Sequence, residues 1–129
     1  MDLLAALLPT IPKVPWLRML YTYPGSISPA LIELMQGEPR LLPYLDIPLQ
    51  HADPDVLHSM GRPSDISDAE RTIDRMRAAI PGLVVRTTFI TGYPTETDEA
   101  FEHLYAFIQR VRFDHLGVFS YSPEEDTQI

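Results

Sequence analysis

Leu83-Val84-Val85-Arg86-Thr87-Thr88-Phe89-Ile90-Thr91 runs straight into Gly92-Tyr93-Pro94-Thr95-Glu96-Thr97, and beyond it Phe101, Leu104, Ile108 and Val111 recur at spacings of three, four and three. The first block is dense in β-branched residues and reads as a strand. The last is the apolar stripe of a helix. Thr97 is placed to cap that helix, with Asp98 and Glu99 suited to its positive end. Glycine and proline make the segment between them a turn. Strand, tight turn and helix in this order is the repeating unit of a parallel α/β fold.

The rest of the chain repeats the unit. Thirteen prolines in 129 residues is about twice the usual share. Proline fixes φ and removes a backbone donor, so it is excluded from central strands and helix interiors. The prolines leave clean windows at 16–23, 30–38, 44–47, 55–62, 64–80, 82–93 and 95–122. Asp2 precedes a helical stripe of Leu3, Leu4, Leu7 and Leu8. Trp16–Thr22 is bulky and strand-like. Ser28-Pro29 is a cap followed by proline at the first helical position, with Leu31, Leu34 and Met35 on one face and Gly37 at the end. Tyr44–Ile47 reads as a short strand. Asp53-Pro54 repeats the cap before Val56, Leu57 and Met60, with Gly61 as a stop. Ser67–Glu70 matches a capping box ahead of Ala69, Ile73, Met76 and Ile80, and Pro81-Gly82 ends that helix. Leu116–Tyr121 is the final strand. The pattern predicts four parallel strands, near 17–22, 44–47, 84–90 and 116–121, with helices outside and right-handed crossovers. Four strands do not close a barrel, so the chain reads as a slice of a larger α/β domain.

Composition narrows the function. Hydrophobic residues are 45% and charged residues 22%, so a real core is expected. The apolar run near Leu3–Leu8 is far shorter than the roughly 18–20 residues of a membrane span. Asp2 and the lack of a basic cluster argue against a signal peptide. Net charge is −8, a poor footprint for direct nucleic-acid binding. Cysteine is absent. That excludes disulfides, thiolate-held zinc, a thiol nucleophile and an iron–sulfur cluster held by this chain.

In parallel α/β folds chemistry gathers beyond the carboxyl ends of strands. Those segments hold Gln50, His51, Tyr93, Glu96, Tyr121, Glu124 and Glu125. A sharper signal lies within the strands, whose residues alternate faces. Arg18 shares a face with Leu20 and Thr22, Asp46 with Tyr44, and Arg86 with Val84, Thr88 and Ile90. Three strands each carry an ionisable group in mid-strand. Buried charge needs a partner. Two readings stand side by side: a polar lumen for a zwitterionic small molecule, and an Arg–Asp–Arg structural network. The Gly92–Thr97 turn is neither a P-loop nor a dinucleotide fingerprint and reads as structural. His51 has no neighbour at metal-ligand spacing and reads as a solvated or capping side chain. His58, His103 and His115 read as structural. Glu124-Glu125 reads as a solvated pair, and Arg71, Arg75 and Arg77 as a solvated helix face.

Four blocks together carry a family resemblance: Trp16–Pro24, Tyr44–Ala52 (Tyr-Leu-Asp-Ile-Pro-Leu-Gln-His-Ala), Leu83–Thr97, and Phe113–Glu125 (Phe-Asp-His-Leu-Gly-Val-Phe-Ser-Tyr-Ser-Pro-Glu-Glu). They resemble the radical S-adenosylmethionine methylthiotransferases, and among these the branch that modifies an aspartate of a small-subunit ribosomal protein. A tRNA-modifying group of the same family typically has Leu-Pro-Val-Gln-Ser-Gly-Ser where this chain has Ile47–Asp53. Thr95 and Asp126 stand where members commonly have glycine.

The resemblance implies a partial, TIM-like (β/α) barrel of the radical SAM type, residues 1–129 being the C-terminal part of the core domain. The cluster-binding three-cysteine part and the C-terminal TRAM domain would lie outside it. It implies a cytoplasmic enzyme that uses S-adenosylmethionine and 4Fe-4S clusters, the clusters held elsewhere in the parent. It implies no catalytic residue in this chain. The residues expected to hold S-adenosylmethionine are Asp46, Gln50, Arg86 and Thr88, with Arg18 as support and Tyr93 and Tyr121 near the adenine or the barrel mouth. The implied partner is a small-subunit ribosomal protein, with no membrane and no direct nucleic-acid contact. The isolated chain is expected to be inactive and to self-associate. The alternatives are a fragment of the tRNA-modifying kind and a non-catalytic interaction or assembly module.

Overall fold

The computed structural model describes residues 2–63 and 66–123. The expectations for Glu124, Glu125 and Asp126 lie outside the described residues. The element order is α1 (Asp2–Leu7), a short 3-10 turn (Leu8–Thr10), a second (Pro24–Ser26), α2 (Pro29–Gly37), β1 (Tyr44–Asp46), α3 (Pro54–Ser59), α4 (Ser67–Ala79), β2 (Val84–Thr91), α5 (Asp98–Val111) and β3 (His115–Ser120). The three strands form one parallel sheet in the order β1-β2-β3. None of the helices is long and apolar enough to cross a membrane among the described residues.

Three of the four expected strands form. Trp16–Thr22 does not; it makes only an isolated parallel bridge between Leu17 and Leu41. The Leu17 N–H donates to the Arg40 carbonyl and the Leu42 N–H to the Leu17 carbonyl, after which the ladder fails. Pro43 has no N–H, and the Tyr44 N–H turns back to the Leu42 carbonyl at 2.7 Å. Tyr21 then adopts a left-handed backbone, φ 55, which no extended strand tolerates. Pairing resumes once, where the Thr22 N–H donates to the Asp46 carbonyl.

The expected caps at Ser28, Asp53 and Thr97 are all made. Each side chain accepts from the first turn of its helix, from Leu31, from Asp55 and Val56, and from Ala100 respectively. The expected capping box is not. Ile66 is the cap of α4 and Ser67 is its first helical residue. Glu70 instead receives the Arg110 guanidinium from α5, at 2.6 and 3.2 Å. Nor is Arg77 simply solvated: it donates to the Val111 and Arg112 carbonyls and so closes the end of α5.

Helices cover one face of the sheet. Val85, Thr87 and Phe89 of β2 are completely buried beneath them. Phe89 meets Phe107 of α5 edge-on at 6.3 Å and Phe113 at 5.8 Å. Ile73 and Met76 of α4 and Leu31 and Met35 of α2 join the same core. Burying this many apolar side chains, at about 1.5–3 kcal/mol each, is what holds the layers together. The opposite face, with Val84, Arg86, Thr88 and Ile90, is only half covered or exposed. β3 is exposed on both faces, with Val118 at 51% and Phe119 at 61%.

Candidate functional site

The open face collects the ionisable strand residues. Asp46 stands opposite Arg86, and Thr88 opposite Gly117. Arg18, Tyr44, Arg86, His115, Leu116 and Gly117 line an open hollow of about 430 Å³ over the first half of the strands. The Arg18 guanidinium lies over the Tyr44 ring at 4.9 Å, a cation–π contact. The Arg–Asp–Arg network does not form: no ion pair among the described residues joins Arg18, Asp46 and Arg86. Asp46 is buried, and one of its carboxylate oxygens accepts the Tyr21 N–H at 3.1 Å. That bond holds the left-handed turn at Tyr21 against the end of β1.

Beyond Asp46 the chain climbs to the carboxyl end of the sheet by a bulge. The Ile47 N–H donates to the Arg86 carbonyl, and the Gln50 N–H to the Thr88 carbonyl. Gln50 pairs with Phe89, so four steps on this side match three on β2. Pro48 supplies no donor there. The buried Thr87 hydroxyl fills the gap, donating to the Ile47 carbonyl at 2.7 Å and accepting the Leu49 N–H at 3.3 Å. Gln50 emerges half-buried with φ 75.

The strand-end loops are joined by groups whose pairing the sequence does not show. His51 is wholly buried. Its Nδ1 accepts the Asp53 N–H at 3.0 Å, so the proton sits on Nε2, which lies 2.6 Å from Glu96 Oε2 and donates to it. The other oxygen of Glu96 accepts the Gly92 N–H at 2.9 Å. Asp53 caps α3 with one oxygen and meets His103 Nδ1 of α5 at 2.7 Å with the other. Burial alone would push the Asp53 carboxyl up; the His103 hydrogen bond and the α3 N–H groups outweigh it and hold the carboxyl below its ordinary value.

Tyr93 and Tyr121 do meet, edge to face with ring centres 5.1 Å apart. They do so beside Val56 and Ala100, away from the hollow. Tyr93 is 7% exposed and its hydroxyl donates to the Ser59 carbonyl at 3.3 Å. The Tyr121 hydroxyl is buried with no partner among the described residues. Among the expected site residues, then, Arg18 and Arg86 line the hollow, Asp46 and Thr88 share its sheet face, and Gln50, Tyr93 and Tyr121 lie at the carboxyl end. His51 and Glu96 were missed as a pair. A histidine just past one strand and a glutamate four residues past the glycine of another are the only signal, and 45 residues separate them.

Comparison with known proteins agrees with this layout. The chain is 53% identical over 114 residues to the ribosomal protein uS12 methylthiotransferase RimO of Synechococcus sp., covering 88% of this chain and 24% of that protein. It is 50% identical over 126 residues to the RimO of Synechocystis sp., covering 96% and 28%. The chain thus spans about a quarter of the length of these relatives. Two solved structures share its fold at 19% identity. One is the coproporphyrinogen III oxidase HemN of Escherichia coli, with a TM-score of 0.69 over 83% of this chain and 24% of that one. The other is the methyltransferase TsrM of Kitasatospora setae, with a TM-score of 0.71 over 92% and 24%. The Radical SAM superfamily model matches residues 2–108, most of the chain and all of its first two strands, and with it the chain belongs to the radical SAM superfamily.

Proposed function

We propose that this chain is the part of a radical SAM methylthiotransferase that holds S-adenosylmethionine, in an enzyme that modifies an aspartate of ribosomal protein uS12. The observation that carries the reading is identity near 50% to proteins of that name across 88–96% of the chain. The open sheet face supports it. S-adenosylmethionine carries a carboxylate, an ammonium, a sulfonium and ribose hydroxyls. Arg86 offers a guanidinium with no ion pair among the described residues, suited to the carboxylate. Asp46 keeps a second oxygen free of partners among the described residues, suited to the ammonium or a ribose hydroxyl. Thr88 adds a hydroxyl on the same face, beside Gly117 of β3. The Tyr121 hydroxyl, unpartnered among the described residues, is a further donor at the carboxyl end.

When bound, S-adenosylmethionine supplies the methyl group and the radical chemistry. This chain's residues bind and orient it. They do not fit an iron–sulfur cluster: the sequence has no cysteine, and no group of three His, Cys, Asp or Glu is placed to hold a metal ion among the described residues. The clusters of the parent therefore take their ligands from other segments.

The test replaces the matching segment of the full-length Synechocystis relative with this chain. The chimaera is assayed on a uS12 peptide by mass spectrometry. Gain of one methylthio group on the peptide's aspartate is the expected result. A chimaera that consumes S-adenosylmethionine yet leaves the peptide unmodified would overturn the assigned substrate.

A further inference from the structure

The hydrogen bonds at the carboxyl end of the sheet form an unbroken path between two loops that face the same mouth. One is Gln50–Asp53 after β1, the other Gly92–Thr97 after β2. His51 lies between them with no exposed surface, and both of its ring nitrogens are used. Glu96 spends one oxygen on His51 and the other on the Gly92 N–H. Gly92 adopts a left-handed backbone, φ 78, and none of the described residues packs within 4 Å of where its side chain would be. Packing therefore does not fix this turn from that side, whereas the Glu96 carboxylate grips its N–H. Gln50 is held the same way from below, by the Thr88 carbonyl and the Ile90 N–H. Both loops contain a left-handed residue. Gln50, which carries a Cβ, keeps that backbone only where its surroundings determine it, whereas Gly92 adopts it freely and has to be held by its hydrogen bond.

We propose that His51 is a positioning residue: acting through Glu96, it fixes the Gly92 turn at a set height above Gln50 and so shapes the rim that the S-adenosylmethionine meets. The second half of this statement rests on the function proposed above; the first half stands on the hydrogen bonds alone. The ring is suited to the task because it is rigid, neutral and bifunctional. Its Nδ1 is anchored to the Asp53 backbone, and Asp53 is itself fixed as the cap of α3 and by His103. The Glu96 carboxylate is thereby referred to α3 and α5 together.

The experiment uses the whole chain and reads two quantities by NMR. Amide exchange at Gly92 reports the turn, with Val85 and Phe89 in the sheet as internal references. Chemical-shift titration with S-adenosylmethionine reports the rim. His51→Phe keeps the ring's bulk and removes both hydrogen bonds. It is expected to speed Gly92 exchange on the order of fivefold, the worth of one hydrogen bond, with the sheet references unchanged. His51→Gln carries an amide N–H to the position of Nε2 and is expected to restore most of the protection. Glu96→Ala removes the grip directly, leaving the ring in place without its Nε2 partner, and serves if His51→Phe does not fold. Equal Gly92 exchange in the wild type and in whichever of these variants folds overturns the proposal, as does a His51→Gln variant no better than His51→Phe. In the titration, His51→Phe is expected to weaken binding about fivefold and His51→Gln to recover it. Unaltered binding in a His51→Phe chain with a loosened turn overturns the positioning role. A wild-type chain that shows no shift at saturating S-adenosylmethionine counts against the proposed function, and Gly92 exchange still decides the clasp.

Discussion

Thr87→Val isolates one hydroxyl. Valine is β-branched like threonine and nearly its shape, so the fully buried site stays filled while the hydroxyl is removed. What is lost is the hydroxyl's two bonds, 2.7 Å to the Ile47 carbonyl and 3.3 Å from the Leu49 N–H. Both backbone groups sit beside Pro48, where the β1 ladder has no other donor to offer. The short bond leaves a buried carbonyl unsatisfied, at about 1.5 kcal/mol, and the long one adds about 0.5 kcal/mol, for a total near 2 kcal/mol. For a chain of this size that is a fall of roughly 6–10 °C in melting temperature. Urea unfolding followed by circular dichroism measures it, and the slope with denaturant should be unchanged. Thr88→Val, one residue along on the open face, is the control and should stay within about 0.5 kcal/mol of wild type. A Thr87→Val loss below about 0.5 kcal/mol, or equal losses at both positions, would refute the claim that this hydroxyl completes the ladder.

Three further outcomes are expected. Because the folded Asp53 carboxyl titrates below its unfolded value of about 3.9, the unfolded chain binds more protons between the two values, so stability present above about pH 4 should drain away as pH falls through the folded value; Asp53→Asn keeps the cap but should flatten this acid limb in melting curves, and identical limbs would contradict it. The isolated chain should self-associate through its open sheet face and the exposed β3 edge, so sedimentation should find dimers or larger species and Val118→Lys should weaken them; a monomer throughout would count against it. The isolated chain, reconstituted anaerobically with iron and sulfide and then reduced, should yield no 5′-deoxyadenosine from S-adenosylmethionine above a control without protein, and detectable product would disprove it.

What the sequence discloses is local. The three side-chain caps at Ser28, Asp53 and Thr97 are legible because a cap and its helix are neighbours in the chain. The face alternation of β2, with Arg86 and Thr88 opposite Val85, Thr87 and Phe89, is legible because strand side chains have a period of two. Contacts across the fold are a different matter. Trp16–Thr22 has every local mark of a strand, and it fails on its neighbour's account, since Pro43 and Tyr44 withhold their donors. Glu70 looks like half of a capping box and is claimed by Arg110, forty residues on. His51 reads as solvated or capping; it does accept the Asp53 N–H, but nothing near it in sequence shows that Glu96 closes over its other nitrogen and buries it. Arg18, Asp46 and Arg86 share a face as expected, yet Asp46 is occupied by the Tyr21 backbone, which only the turn at Tyr21 brings within reach.

The bulge between Asp46 and Gln50 sets a rule for anyone who recombines this chain with its relatives. Below it, β1 and β2 advance in step; above it, they are out of step by one residue. A crossover inside Ile47–Gln50 with a relative one residue shorter or longer there would shift the count across the bulge, and the Gln50–Phe89 bridge at the end of the sheet would lose its register. The smallest exchangeable cassette is therefore not a strand. It is Ile47–Gln50 carried together with Thr87, two pieces of chain that must be inherited from the same parent.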